Sequence, residues 1–402
     1  MRNEGLFSSE ELGAYARLLF WGLARSRRTP LRKSELVQVR FDLPALPLAE
    51  ELCDCLLEEG LLPLARMLPT PRMERDLYAK ANRRRLSLVP PGEQELADSL
   101  GGTITLMAPS SLEHLQGVDP ESIALYRQSR RSLQESARMR EQQGAYGWTL
   151  GLWPTPALAQ GAGMPLGDYA EELARACYLG AGDAVAAWRR LARKLDGFKG
   201  RLNSLGNARV RVEAEDGTDF SVAIGEQRRW AGLTGRNIPS FELYVSPDWR
   251  TAEGVFCADM PTYLGGNMVS GMRLEFRQGR VTRFSARHGQ EFAIRQLMTD
   301  EGAAQLGELA LVDKRFSPIR RCMAHGLYDE NFGGAHGSMH IALGQSYANT
   351  YAGEMLHAEQ ARQYGFNSSS LHWDLISTAR RRVTAFLPAG TRVIYEDGEF
   401  TL

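Results

Sequence analysis

The sequence predicts an α/β N-terminal domain followed by an α+β C-terminal domain rich in antiparallel strands. Three observations carry that reading. The first half alternates strand-like and helix-like apolar patterns, the rhythm of an α/β layer. The second half changes to short alternating segments joined by Asp-Gly and Gln-Gly turns. The length of 402 residues suits two domains. We place the boundary near residue 198, giving domains 1–197 and 198–402.

The elements follow in order. Leu12, Tyr15, Leu18, Leu19 and Leu23 recur at helical spacing over residues 9–26, with Ser8 or Ser9 placed to cap the helix. Leu36 to Phe41 alternates as a strand, and a helix over about 47–60 ends at Gly60. Thr103 to Met107 reads as another strand, and Pro120 to Gln143 as a charged helix. Trp153-Pro-Thr-Pro156 breaks the chain, and helices follow to about Lys199. Three hairpins are then expected: residues 207–225 turning at Asp216-Gly217, Met272 to Phe284 turning at Gln278-Gly279, and Arg382 to Leu402 turning at Asp397-Gly398.

Composition excludes several classes. Apolar residues make up 43% and charged residues 24%, so the chain is neither disordered nor collagen-like nor of low complexity. Lys plus Arg equals Asp plus Glu at 48 each, which argues against a general nucleic-acid or anionic-membrane binder. Glu121, Glu135 and Glu141 interleave with the arginines of the 120–143 helix, as on a solvated face. The longest apolar stretch, Leu18 to Ala24, is far short of the ~20 residues that span a bilayer. Acidic residues stand at the N-terminus where a signal peptide carries positive and apolar ones, so a cytoplasmic protein is expected. The five cysteines are odd in number and scattered, as free thiols are.

Four local elements could carry chemistry. In Leu371-His372-Trp373-Asp374, His372 and Asp374 would share one face of a strand. Such a pair can ligate a divalent cation, and it can equally make a weak surface contact; spacing alone favours the second. Asp329-Glu330-Asn331 runs through a glycine-rich loop to His336 and His340. Those histidines are four apart, but Gly337 and Ser338 argue against a helix, and H-E-x-x-H is absent. Glu308 opens the apolar run Leu309 to Val312. It is either a strand-edge surface residue or a buried charge that needs a partner. Glu242 likewise stands alone in an apolar stretch bounded by Pro239 and Pro247. No G-x-S-x-G elbow, G-x-G-x-x-G loop or Walker-type loop occurs.

Taken together, these elements resemble the metalloaminopeptidase family of aminopeptidase T, aminopeptidase S and PepS. The resemblance is carried by an ordered series over about 195–402: N-I-P-x-x-E-L-Y-x-S-P at Asn237, G-E-L-A-L-V at Gly307, Y-D-E-N at Tyr328, H-I-A-L-G-x-x-Y at His340 and H-x-D at His372. Trp153-Pro-Thr-Pro156 and Ala162-Gly-Met164 extend it more loosely into the first half.

The resemblance implies a C-terminal metallopeptidase domain holding two divalent ions, zinc, cobalt, manganese or magnesium. Glu242, Glu308, His372 and Asp374 would hold one. Glu308 would bridge to a second, held by Glu330 and His340. Tyr347 matches the family's catalytic tyrosine, placed to donate to an oxyanion. The chain departs from the family between Glu330 and His340, where Phe332 to Met339 lengthens the segment and introduces His336 as an extra or substitute ligand. The implied activity is removal of N-terminal residues from short peptides by a water activated between two metals, in a homodimer whose N-terminal domain shapes access. The alternatives are another metal-dependent amidase or esterase on the same scaffold, and a non-catalytic metal-binding relative.

Overall fold

A computed structural model describes residues 5–180 and 182–402. The chain forms two compact units. One comprises residues up to Trp188 together with Thr234–Pro239; the other comprises Arg189–Leu233 and Ser240–Leu402. The chain passes from the first to the second inside one helix, Ala184–Asn203.

The first unit is built on a parallel sheet of β1 (Leu36–Phe41), β2 (Leu62–Met67), β3 (Gly102–Met107) and β4 (Gly147–Leu152), in the order β2-β1-β3-β4. β1 and β3 occupy the centre, and Val37, Val39, Ile104 and Leu106 are fully buried there. β2 and β4 were not anticipated. Pro63 lies in β2, and a proline lacks the N–H a central strand needs. β2 tolerates it because it is an edge.

The helix Ser9–Ser26 starts as its sequence requires. Ser8 Oγ accepts from Glu11 N at 3.2 Å, and the Glu11 carboxylate accepts from Ser8 N at 2.8 Å, so two orphan donors are satisfied reciprocally. A second helix, Leu46–Glu58, ends ahead of Gly60, which adopts φ +78°. The charged stretch after Pro120 is two helices, Pro120–Ser129 and Arg131–Gln142, broken at Arg130. No helix among the described residues is long and apolar enough to cross a membrane.

The second unit is strand-rich. In chain order its strands are β5 (Arg209–Ala214), β6 (Asp219–Ala223), β7 (Glu242–Val245), β8 (Glu253–Ala258), β9 (Thr262–Leu264), β10 (Asn267–Val269), β11 (Met272–Arg277), β12 (Arg280–Ser285), β13 (Leu306–Val312), β14 (Ser338–Gly344), β15 (His372–Ser377), β16 (Arg381–Leu387), β17 (Gly390–Glu396) and β18 (Glu399–Phe400). An eight-stranded antiparallel sheet runs β12-β11-β8-β6-β5-β16-β17-β18. β7, β13, β14 and β15 form a separate four-stranded sheet.

The expected turns are present. Asp397 and Gly398 both have positive φ (48° and 88°), as do Gln278 and Gly279 (48° and 79°), the backbone of a tight hairpin turn. The C-terminal hairpin proves to be a three-stranded meander, because β16 turns into β17 before the Asp-Gly turn is reached.

Candidate metal centre

The four-stranded sheet has the order β15-β14-β13-β7. Its register sets Glu242 opposite Val312 and Tyr244 opposite Ala310. On the other side of β13, Ala310 faces His340 and Glu308 faces Ala342. Ala342 in turn faces Asp374, and Gly344 faces His372. Residues paired across strands share a face, as do residues two apart along one strand. Glu242, Glu308, His340, His372 and Asp374 therefore project from a single face. Ala310 and Ala342 lie between them, and their small side chains leave room for the larger ones to converge.

The opposite face is apolar except for Ser377 at the end of β15, whose hydroxyl donates to Asp216 at 3.0 Å. Leu243, Val245, Leu309, Leu311, Met339, Ile341, Leu343, Trp373 and Leu375 are at most 2% exposed. Burying each of these large side chains stabilises the fold by roughly 2 kcal/mol. Trp373 packs on Phe284 of β12 and donates to Thr262 of β9 at 3.2 Å. That core fixes the strands, and the strands fix the polar face.

The polar groups are close. His340 Nε2 lies 3.1 Å from Glu308 Oε1 and 3.4 Å from Glu242 Oε2. His372 Nε2 lies 3.2 Å from Asp374 Oδ1. Two groups of potential ligand atoms result, each with its atoms within 4.8 Å of one another: Glu242, Glu308 and His340, and Glu308, His372 and Asp374. Glu308 is common to both. Glu242 thus falls with His340 here, whereas the resemblance pairs it with His372 and Asp374.

Glu330 belongs to neither group, but it is buried just beyond the short helix Gly326–Asp329. His336 also belongs to neither. Its backbone carbonyl accepts from Arg381 at 3.3 Å and from the Tyr395 hydroxyl at 3.4 Å. The lengthened loop is taken up against β16 and β17.

Burial, with the charges of Glu308 and Asp374, pushes Glu242 well above the usual carboxylate range. Burial, with Glu242 and Asp374, does the same to Glu330. Burial opposes protonation of His372, but Asp374 beside it more than offsets this and raises its pKa to about 10. His340 is raised likewise: burial works against it, and Glu308 and its acidic neighbours outweigh burial. The Tyr347 hydroxyl is pushed well above 10 by burial and by Glu308 and Asp374. The Tyr347 ring stands 4.6 Å from that of His372 and meets Tyr244 edge-on at 6.0 Å. Its backbone N–H donates to Ser246 Oγ at 2.8 Å.

Against this geometry the comparisons are decisive. The family model described as "Thermophilic metalloprotease (M29)" matches residues 8–400. The chain belongs to the M29 metalloprotease family. Aminopeptidase 2 of Geobacillus stearothermophilus is 30% identical to this M29 chain, over 74% of the chain and 75% of the relative. Aminopeptidase T of Thermus aquaticus is 28% identical, over 77% and 82% respectively. The solved structure of wild-type AmpT from Thermus thermophilus shares the fold, with a TM-score of 0.77 at 24% identity, covering 97% of this chain and 99% of that one.

An M29 metallopeptidase implies a divalent cation, and the residues of this chain fit one. Glu308 Oε2 and His340 Nδ1 are buried without a hydrogen bond. Glu242 Oε2 and Asp374 Oδ1 are also buried without one, and a histidine nitrogen is their close neighbour. Buried polar atoms ordinarily have partners. The strongest charge effects on Glu242 and Glu330 come from other members of the cluster, not from a Lys or Arg.

His372 is set up for ligation by its other nitrogen. Nδ1 lies 2.9 Å from the Gln345 carbonyl, which can only accept, so Nδ1 carries the proton and Nε2 in the neutral ring offers its lone pair. Sequence reasoning missed Tyr244, although the two-residue strand period from Glu242 places it on the same face. It also missed Asn331, whose side-chain oxygen accepts from Phe241 N, ninety residues away in sequence.

Proposed function

We propose that this chain is a metal-dependent aminopeptidase that releases N-terminal residues from short peptides. Two divalent ions, zinc, cobalt, manganese or magnesium, would be held by Glu242, Glu308, Glu330, His340, His372 and Asp374. The observation that carries the reading is the sharing of Glu308 between two groups of ligand atoms on one sheet face. Four carboxylates and two imidazoles offset two dications and suit those metals. Bound divalent ions supply an activated water near neutral pH and stabilise charge that develops on oxygen.

The chain's own groups do the rest. Glu308 keeps the two halves of the centre together. The Gln345 carbonyl holds His372 in one tautomer. Tyr347, flanked by Tyr244 and His372, donates its hydroxyl proton in a hydrogen bond to the oxygen that becomes negative as the peptide carbonyl is attacked. The relatives named aminopeptidase support a free α-amine as the recognised end. We further propose that domain 198–402 carries the reaction, that domain 1–197 contributes to dimerisation and access, and that the protein works as a cytoplasmic homodimer.

The test is hydrolysis of leucine anilide and of its N-acetylated form by purified protein, with each of the four metals and after chelation. The expected result is turnover of the free amine alone, lost on chelation and restored by metal. Equal turnover of the blocked substrate would favour a general amidase. Stoichiometric metal without turnover of either substrate would favour a non-catalytic relative.

A further inference from the structure

We propose that Asn331 is a positioning residue of the metal centre, tying the Glu330 carboxylate to the backbone that leads into Glu242. The inference rests on reading both glutamates as ligands. They reach the centre differently. Glu242 opens β7 and is held by the sheet. Glu330 lies in the connection between β13 and β14, where no ladder fixes it.

Asn331 supplies the missing link. Its Oδ1 accepts from Phe241 N, the residue before Glu242, at 2.6 Å. Its Nδ2 donates to Glu330 Oε1 at 3.2 Å and to the Leu327 carbonyl at 3.1 Å. The side chain is fully buried, so water replaces none of these bonds. The Leu327 bond closes the short helix that presents Glu330, while the Phe241 bond crosses ninety residues of sequence to β7. Ser317 Oγ donates to the Asn331 carbonyl, and Ser338 Oγ to that of Glu330 at 3.2 Å, so the backbone on which the amide acts is itself held. Only an amide offers one acceptor and two donors in this arrangement. Aspartate keeps the acceptor but sets a second oxygen against the Glu330 carboxylate.

The experiment compares wild type, Asn331→Asp, Asn331→Ala, Glu330→Gln and the Glu330→Gln/Asn331→Ala double variant. Cobalt stoichiometry and affinity are read by equilibrium dialysis and by the visible absorption of the bound ion. Thermal unfolding of the metal-free proteins is read in parallel. The expected result is a loss of about 10–100-fold in affinity for one of the two ions in each single variant. The double variant should be no weaker than Glu330→Gln alone, because Asn331 acts through Glu330. Wild-type affinity in either folded Asn331 variant overturns the proposal. So does full additivity in the double variant, which would mark a general structural role. If Asn331→Ala does not fold, Asn331→Asp carries the single-variant test. If Glu330→Gln itself leaves cobalt binding unchanged, the ligand reading of Glu330 is wrong and the role of Asn331 falls with it. If the wild type binds no cobalt, the metallopeptidase reading fails as a whole.

Discussion

Tyr347 lies between two rings, those of Tyr244 and His372, and its neighbouring backbone is fixed by Ser246. Asn349 Nδ2 in turn donates to the Tyr244 hydroxyl at 2.6 Å. The phenol is therefore pre-set, and under the proposed function its oxygen would serve the reaction without holding the ions. Tyr347→Phe should lower kcat for leucine anilide by about 10²–10³-fold, the usual cost of one oxyanion donor, with KM little changed. Bound cobalt should stay at the wild-type stoichiometry. Loss of metal in Tyr347→Phe would instead make the hydroxyl part of the binding set. At this scale the sequence was informative about residue types. Alternation along a strand puts His372 and Asp374 together, and the same rule applied to Glu242 reaches Tyr244. It was uninformative about Asn331, because a hydrogen bond to Phe241 has no local spacing to reveal it.

Elements set the positions of these side chains through close backbone contacts. Gly307 sits at a register shift in β13, immediately before Glu308. A Cβ there would come 2.5 Å from the Gly344 carbonyl oxygen and 2.7 Å from that of Gln345, both backbone atoms that cannot swing aside. Gly307→Ala should destabilise the protein by about 1–3 kcal/mol and reduce metal affinity, since the clash moves the strand that carries Glu308. Urea unfolding and cobalt titration would measure the two effects, and an unchanged Glu308 environment would show as unchanged cobalt binding.

The loop leading into β15 depends on Asp300. Its carboxylate accepts from Ser369 Oγ, Ser370 N and Ser370 Oγ at 2.7 Å each, and from Gly302 N at 3.1 Å. Burial alone would raise its pKa; these bonds outweigh burial and lower it below 3.8. A carboxylate whose folded pKa is depressed contributes stability above its unfolded value and loses it as pH falls through the folded one. Asp300→Asn should cost about 1–2 kcal/mol at neutral pH. The gap to wild type should hold down to about pH 4 and close below it. A gap independent of pH down to about pH 2 would mean the ionised form is not what the loop uses.

For the whole molecule, a cation bound only by the folded chain must raise the unfolding temperature. At a hundredfold excess over Kd the stabilisation is about 2.7 kcal/mol per independent site. Chelation should therefore lower the wild-type midpoint by several degrees, and zinc or cobalt should restore it. Glu308→Gln should abolish most of that shift, because the shared carboxylate serves both groups of ligand atoms. A full shift in Glu308→Gln would place the bound ions elsewhere.

The sequence by itself determined the order of layers, because helical and two-residue periods are local, and Gly60, Gly279 and Gly398 mark their ends with positive φ. It also determined the family, because five motifs keep their order over half the chain. It did not reveal β2, whose Pro63 is acceptable only at an edge, nor that β16 and β17 pair ahead of the last turn. Only the tertiary structure decided which ligand types meet. Glu242, Glu308, His340 and Asp374 lie on four different strands, and only the antiparallel register across β7, β13, β14 and β15 gives their atoms a common face. It also decided where the extra residues before His340 go: against Tyr395 and Arg381, whose side chains donate to the His336 carbonyl in contacts that no linear spacing encodes.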